Sequence, residues 1–521
     1  MFINDGKSSN REDRKIFFLI LLVSLALKII VSCSISIPNE DAIKYIYAAQ
    51  AFSLGNFREA IRLYPLPLYP FLISCVHVVI PDWFRAAQFL SWLPLTLAAI
   101  PLYHLAKKQF GARAALWCMA AYSLAPNFNG YATEVLRDPL GLLFISLAIV
   151  YALKTFGKAS GRNLLLVSVF SLLAFLTRIE TVFFPLFFLV FCLVLSLHRH
   201  RQKKIPLKKI GLFIILPLGF FIFLWLAAPQ DFRFFIHLEL FAKHFNALMN
   251  ANYLEIYHQL YDQLGSLSTS YTGNLFETTK HYMWLVYLIA MIEAAAILIF
   301  PVNILPLLTR GGTKTKYDKN TFFIAGLIFL FAATTYLNLL HKNLLSRRYL
   351  IIPVFLLFPW VGRGLDRLYT MICNLNRSEK TKKALLILFA FVFLASPLAK
   401  TLTNLGDKNL SLKQACTWLE HYTESNKSLT LLGNDIRIPF LSNTPQKNFL
   451  YRVKLKHVER YARRHGADLL IIVLSRKKKE HLPAFKRYQI LKEFHDPDNI
   501  IIIARQKARP PKPRKPENVD Q

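Results

Sequence analysis

Eleven apolar runs decide most of what this chain can fold into. A bilayer crossing needs about 20 mostly apolar residues. Runs of that kind lie near 16–37, 84–106, 112–130, 138–156, 163–178, 181–197, 210–228, 282–308, 320–340, 349–362 and 384–400 of the 521 residues. The composition agrees, with 54% hydrophobic and only 18% charged residues. Soluble domains carry about 25% charged residues, so an ordinary cytosolic enzyme is excluded. The same apolar content excludes disorder over most of the chain. The first run reads as a retained span: it is long, and no small-residue cleavage site comes before the acidic segment that follows.

Charge sets the expected orientation. The net charge is +33, from 64 Lys and Arg against 31 Asp and Glu. Short cytoplasmic loops collect Lys and Arg. The run 68–81 is only about 14 residues long, which suits an interfacial or re-entrant helix. If it does not cross and the N-terminus is inside, the cytoplasmic segments are 1–15, 107–113, 154–162, 199–209, 310–319 and 363–383. They then hold 26 Lys and Arg, against 12 in the outer loops. If it does cross, the count reverses to 13 inside and 25 outside. The first arrangement follows: about 11 spans, a cytoplasmic N-terminus and an extracytoplasmic C-terminal region, in a plasma (inner) membrane protein. Most of the +33 is then a topology signal and not a nucleic-acid signal.

Domain organisation follows from the same pattern. Residues 1–400 form the membrane domain. The first outer loop, 38–83, carries amphipathic segments suited to the interface, and 229–281 is a second long outer loop. From 401 the hydropathy falls. SLKQACTWLEHY and VKLKHVERYARRHG have helical periodicity, while LTLLG, DLLIIVL and NIIIIAR read as buried strands. Residues 401–506 are therefore expected to form a small α/β domain, followed by a disordered basic tail over 507–521. The expected class is an all-α polytopic membrane protein with interfacial helices and that small extracytoplasmic domain.

Candidate chemistry gathers at the outer ends of the spans. Glu40 and Asp41 follow the first span, Glu134 and Asp138 lie in YATEVLRDPLGLL, and Arg178 and Glu180 lie in FLTRIETVFF. Carboxylates at a hydrocarbon boundary are costly unless paired or solvated, which makes them functional candidates. The plainer reading is solvated loop ends, or an N-cap and N1 pair at Asp138-Pro139. Lys342, Arg347 and Arg348 form a basic outer cluster without an acid, with Arg58 and Arg62 in the first outer loop. They suit lipid headgroups or, more sharply, an anion site, since Arg forks match phosphate oxygens. Lys28 and Glu293 lie mid-span, where structural pairing is expected. His198 and His200 read as solvated. His237, His244, His258 and His281 have no metal-ligand spacing. The six Cys contain no CxxC and read as small core residues.

These elements in order resemble the polytopic GT-C glycosyltransferases of the protein mannosyltransferase-like kind (family 39, PMT_2), which include bacterial aminoarabinose transferases. The family's first outer loop has an Asp, a Tyr four residues on, an Ala four later and a Gly six later; here these are Asp41, Tyr45, Ala49 and Gly55. YPLPLYPFL (Pro65, Pro67, Tyr69), AKKQFGARAALWCMAAYSLAP, TEVLRDPLGLLF and SRRYLIIPVF match later elements. The order Glu40-Asp41 departs from the family's usual Asp-Glu. The resemblance implies transfer of a sugar from a polyprenyl-phosphate donor to an envelope lipid, glycan or protein acceptor at the outer membrane face. In that reaction Asp41 is the general base, with Glu40 its backup or a structural neighbour. Asp138 with Glu134 orients the acceptor or assists the base. Arg347 and Arg348 bind the donor phosphate, with Lys342, Arg58 and Arg62 behind them. Some relatives use a divalent cation; no cofactor is otherwise implied, and no nucleic-acid partner. The rival readings are a transporter or flippase of lipid-linked sugars, which calls for internal repeats or broken helices with midplane polar residues, and a non-catalytic assembly factor. No clear repeat is visible.

Overall fold

The computed structural model describes residues 8–157, 160–198, 211, 213, 254–266, 278–309, 318–403, 405–407, 409–424, 429–445, 449–451, 458–476 and 488–507. Most of the expected span at 210–228 and of the loop 229–281, His200, His237, His244 and the tail beyond 507 lie outside the described residues. So does the side chain of His198. The chain divides into two compact units. One comprises residues up to Ser34 with Lys44–Leu405; the other comprises Ile35–Ile43 with the chain from Gly406 on.

The first unit is helical. Among the described residues, seven helices are long and apolar enough to cross a bilayer: Arg11–Cys33, Trp83–Phe110, Asp138–Gly157, Ile179–Ser196, Lys319–Lys342, Arg347–Cys373 and Glu379–Leu402. Counted as one broken span, the pair Met283–Ile299 and Pro301–Leu308, bent by 99°, makes an eighth. The bend has a local cause: Phe300 takes a left-handed φ of 75° and Pro301 has no amide to continue the ladder. Two of the expected runs are shorter than a full crossing. Residues 112–130 fold as Ala112–Leu124 and a separate short helix, Pro126–Gly130, because Pro126 cannot extend the first. Residues 163–178 lie within and just past the 17-residue helix Gly161–Thr177. The first outer loop folds as the helices Glu40–Ser53, Phe57–Leu63 and Leu68–His77.

Small residues let these helices approach closely, as expected where lipid removes any hydrophobic drive between them. Gly111, at φ 90°, turns the chain between Ala99–Phe110 and Ala112–Leu124 in a single residue, a conformation that favours glycine. A side chain at Gly362 would collide with the Ala114 carbonyl and with Cys118, so Ile351–Cys373 lies directly on Ala112–Leu124. Polar contacts sort the two ends of the bundle. At one end Lys108 donates to the Leu153 carbonyl, Lys319 to the Phe156 carbonyl at 2.6 Å and Arg367 to the Thr309 carbonyl at 3.1 Å, while Arg113 pairs with Asp366. At the other end Asp138, Arg178 and Arg348 meet.

The two mid-span charges differ. Lys28 is fully buried, donates to Ser24 Oγ at 2.9 Å and lies 5.4 Å from the centre of the Tyr122 ring. A hydroxyl and an aromatic face, not a carboxylate, satisfy it. Glu293 is exposed on Met283–Ile299, so it is not a buried pair.

The second unit holds a five-stranded mixed sheet in the order β2-β1-β3-β5-β4, with β1 Leu431–Gly433, β2 Phe449–Tyr451, β3 Leu469–Ser475, β4 Tyr488–His495 and β5 Asn499–Gln506. Strands β1 and β2, and β1 and β3, pair in parallel; β5 runs antiparallel to both β3 and β4. The three apolar runs in the sequence are β1, β3 and β5, buried on both faces. The other two, β2 and β4, are the edges. The mostly exposed β4 has no apolar run to reveal it. Leu412, Cys416 and Leu419 of the helix Leu410–Glu424 pack on one face of the sheet.

Candidate active site

Asp138 opens the helix Asp138–Gly157 and is followed by Pro139, whose missing amide is no loss in a first helical turn. Its carboxylate is 4% exposed and is held on both oxygens. Arg178 Nη1 lies 2.7 Å from Oδ1, and Arg348 Nη2 lies 2.7 Å from Oδ2. Arg178 is the residue just past the helix Gly161–Thr177. Arg348 lies at the start of the span Arg347–Cys373. Three helix ends thus converge on one carboxylate. Gly141 makes the approach possible: a Cβ there would stand 2.9 Å from Thr177 Oγ1 and 3.2 Å from the Arg178 side chain. Arg178 also donates to the Arg348 carbonyl at 3.2 Å and reaches Glu180 at 3.6 Å.

A third guanidinium stands beside this pair of pairs. Arg137 is half-buried, with its charge 5.7 Å from the Tyr64 ring centre. Burial works against its charge, but Tyr64, Tyr45, Glu180 and Asp138 outweigh that and raise its pKa. Tyr45 packs edge-on against Tyr64 and Tyr69, with ring centres 4.7 and 5.1 Å apart. The buried Tyr69 hydroxyl lies 3.3 Å from Ser91 Oγ.

The residues expected to carry phosphate chemistry separate into three groups. Arg348 pairs with Asp138 and keeps 29% of its side chain exposed. Arg347, Lys342 and Arg58 are exposed. Arg62 is exposed and forms a two-pronged pair with Glu59, at 2.6 Å for each contact. Glu134 is exposed, four residues before Asp138. Glu40 and Asp41 occupy the first turn of Glu40–Ser53, where the helix dipole favours acids. They lie in the segment grouped with the C-terminal unit. The sequence pattern marks Arg178 only as a neighbour of Glu180 and does not mark Arg137. The available signal was three arginines at the same expected membrane face as Asp138. Among the described residues, no three of His, Cys, Asp and Glu gather as a metal site; His281 Nδ1 instead lies 3.3 Å from the Tyr261 hydroxyl.

The sequence profile of the family described as dolichyl-phosphate-mannose-protein mannosyltransferase matches residues 64–225. None of the curated proteins matches significantly. Among solved structures, the chain is similar to ArnT from Cupriavidus metallidurans bound to undecaprenyl phosphate, at 12% identity and a TM-score of 0.54, covering 93% of this chain and 97% of ArnT. It is also similar to the archaeal oligosaccharyltransferase AglB from Archaeoglobus fulgidus, in complex with an inhibitory peptide and a dolichol-phosphate. There the identity is 10% and the TM-score 0.51, covering 90% of this chain and 70% of AglB. The chain is a multi-pass membrane protein with the GT-C fold, and its residues 64–225 match the sequence profile of the dolichyl-phosphate-mannose-protein mannosyltransferase family.

Proposed function

We propose that this chain is a membrane glycosyltransferase that moves a sugar from a polyprenyl-phosphate-linked donor to an envelope acceptor at the extracytoplasmic face. The observation that carries the reading is the buried Asp138 held by Arg178 and Arg348 where three helices end, with Arg137 beside it. A carboxylate gripped by two guanidiniums is a poor proton acceptor, so Asp138 organises the arginines around it. The leaving group in such a transfer is a lipid phosphate, which needs positive charge more than a proton. Among the described residues Arg137 has no ion pair within contact distance, and Arg348 is 29% exposed beyond its contact with Asp138, so these two are the phosphate-holding residues. The acceptor hydroxyl needs a base; Asp41, in the first turn of its helix, takes that role, with Glu40 as its neighbour.

The like-folded ArnT and AglB are recorded with undecaprenyl phosphate and dolichol-phosphate, which supports a polyprenyl carrier for this chain. The gathering of basic segments at the bundle end opposite Asp138 supports an outward-facing site under the positive-inside rule. The test is transfer of labelled sugar from a polyprenyl-phosphate donor by the full chain in lipid. Translocation of the lipid without sugar transfer would instead identify a flippase.

A further inference from the structure

We propose that Asp407 is a positioning residue for the Glu40-Asp41 motif, so that the C-terminal α/β unit serves the transfer reaction directly. The proposal rests on the transferase reading above. Asp407 stands 371 residues from Ser36 in sequence, yet its carboxylate accepts from the Ser36 amide at 2.7 Å, the Ser36 hydroxyl at 2.5 Å and the Ile37 amide at 3.2 Å. Lys413 donates to the same hydroxyl at 2.9 Å. The Ile37 side chain is 7% exposed and joins the core formed by the helix Leu410–Glu424 and the sheet.

Very little chain separates this grip from the acids. Pro38 is buried and its ring fixes φ. The Asn39 carbonyl accepts the Ala42 amide at 3.0 Å, which starts the helix at Glu40. Glu40 also lies within electrostatic reach of Arg437, whose guanidinium is tied to Asp435 at 2.6 Å. A staple that only kept a linker in place would need proximity alone. Two consecutive backbone amides on one carboxylate fix the direction of the chain as well. Direction is what a general base requires, because a displacement of about 1 Å costs on the order of 10²-fold in rate.

The experiment uses the full chain in lipid nanodiscs, with Asp407→Ala, Asp407→Asn and Ser36→Ala beside the wild type. Three readouts are taken: sugar transfer, melting midpoint, and amide exchange over residues 35–42. The expected result for Asp407→Ala is a kcat lower by at least about tenfold, a donor KM within about twofold of wild type and faster exchange at Ser36 and Ile37. Asp407→Asn, which keeps a carbonyl acceptor, should recover part of the rate. Ser36→Ala removes the hydroxyl's bonds to Asp407 and Lys413 but leaves both amides on Asp407, and should fall between, which keeps the proposal testable if Asp407→Ala does not fold. Full kcat in Asp407→Ala with faster exchange overturns the positioning role; unchanged exchange overturns the clamp. A wild type that transfers no sugar overturns the transferase reading, and this proposal with it.

Discussion

Arg348 reaches Asp138 across 210 residues of sequence to form a 2.7 Å ion pair at the mouth of a transmembrane helix. Arg178 takes the other oxygen of the same carboxylate. Removing the shared acid leaves two cations facing each other in a largely buried place, and breaking a buried pair from one side costs about 3–5 kcal/mol. Asp138→Ala should therefore lower the melting midpoint in detergent and abolish transfer. Arg348→Ala should cost less, because its side chain is 29% exposed. Equal melting points for Asp138→Ala and wild type would contradict this account.

Gly141 is a second sensitive point. Its missing side chain is what lets Arg178 lie against the helix Asp138–Gly157. Gly141→Ala should cost about 1–3 kcal/mol of stability through overpacking. It should also reduce transfer by shifting Arg178 away from Asp138. Thermal unfolding and transfer rate measured on one sample check both halves.

Asp41→Asn should abolish transfer while costing only about 0.3–1 kcal/mol of stability, the worth of a part-buried acid in the first turn of its helix. Glu40→Gln should retain part of the activity. Full transfer by Asp41→Asn removes Asp41 as the base.

Donor binding separates the arginines. Arg137→Gln should raise the donor KM by about 10- to 100-fold, the range expected for losing charge-assisted contacts. Arg62→Ala should leave it unchanged, because that guanidinium is exposed and occupied by Glu59. Kinetics at varied donor concentration, run on both variants, decide between them.

Acid should act on the α/β unit through Asp496. Burial works against its charge, but the Ser411 hydroxyl at 2.6 Å and the amides of Asn499, Asp498 and Ser411 outweigh it and lower the pKa. A lowered carboxylate pKa stabilises the fold above the ordinary Asp range. That stability is lost as pH falls through the folded value. Amide protection around Leu412 and Ile500, taken against the unstructured rate at each pH, should therefore fall below about pH 4. In Asp496→Asn it should already be low at neutral pH and stay nearly flat with pH.

Much of this was legible in the sequence because the signals are local. The three central strands β1, β3 and β5 are apolar runs, and each is a strand in the structure. The runs at 16–37, 84–106 and 320–340 each correspond to a long helix. The edge strand β4 was not visible because its exposed face interrupts any apolar pattern. The break at Pro126 was hidden inside a continuous apolar run. Lys28 looked like half of an ion pair, since hydropathy cannot show that a tyrosine ring lies across from it.

By itself, then, the sequence determined that the chain is a multi-pass helical membrane protein with a small α/β unit. In a bilayer each span must satisfy its own backbone, so hydropathy along a single segment is enough to identify it. Only the tertiary structure decided which charges meet. The partners of Asp138 come from two other helix ends, and Asp407 returns to Ser36 from the far end of the chain. Such pairings depend on how closely glycine-bearing helix faces pack and on which distant segments meet within a unit, and no window of sequence carries that information.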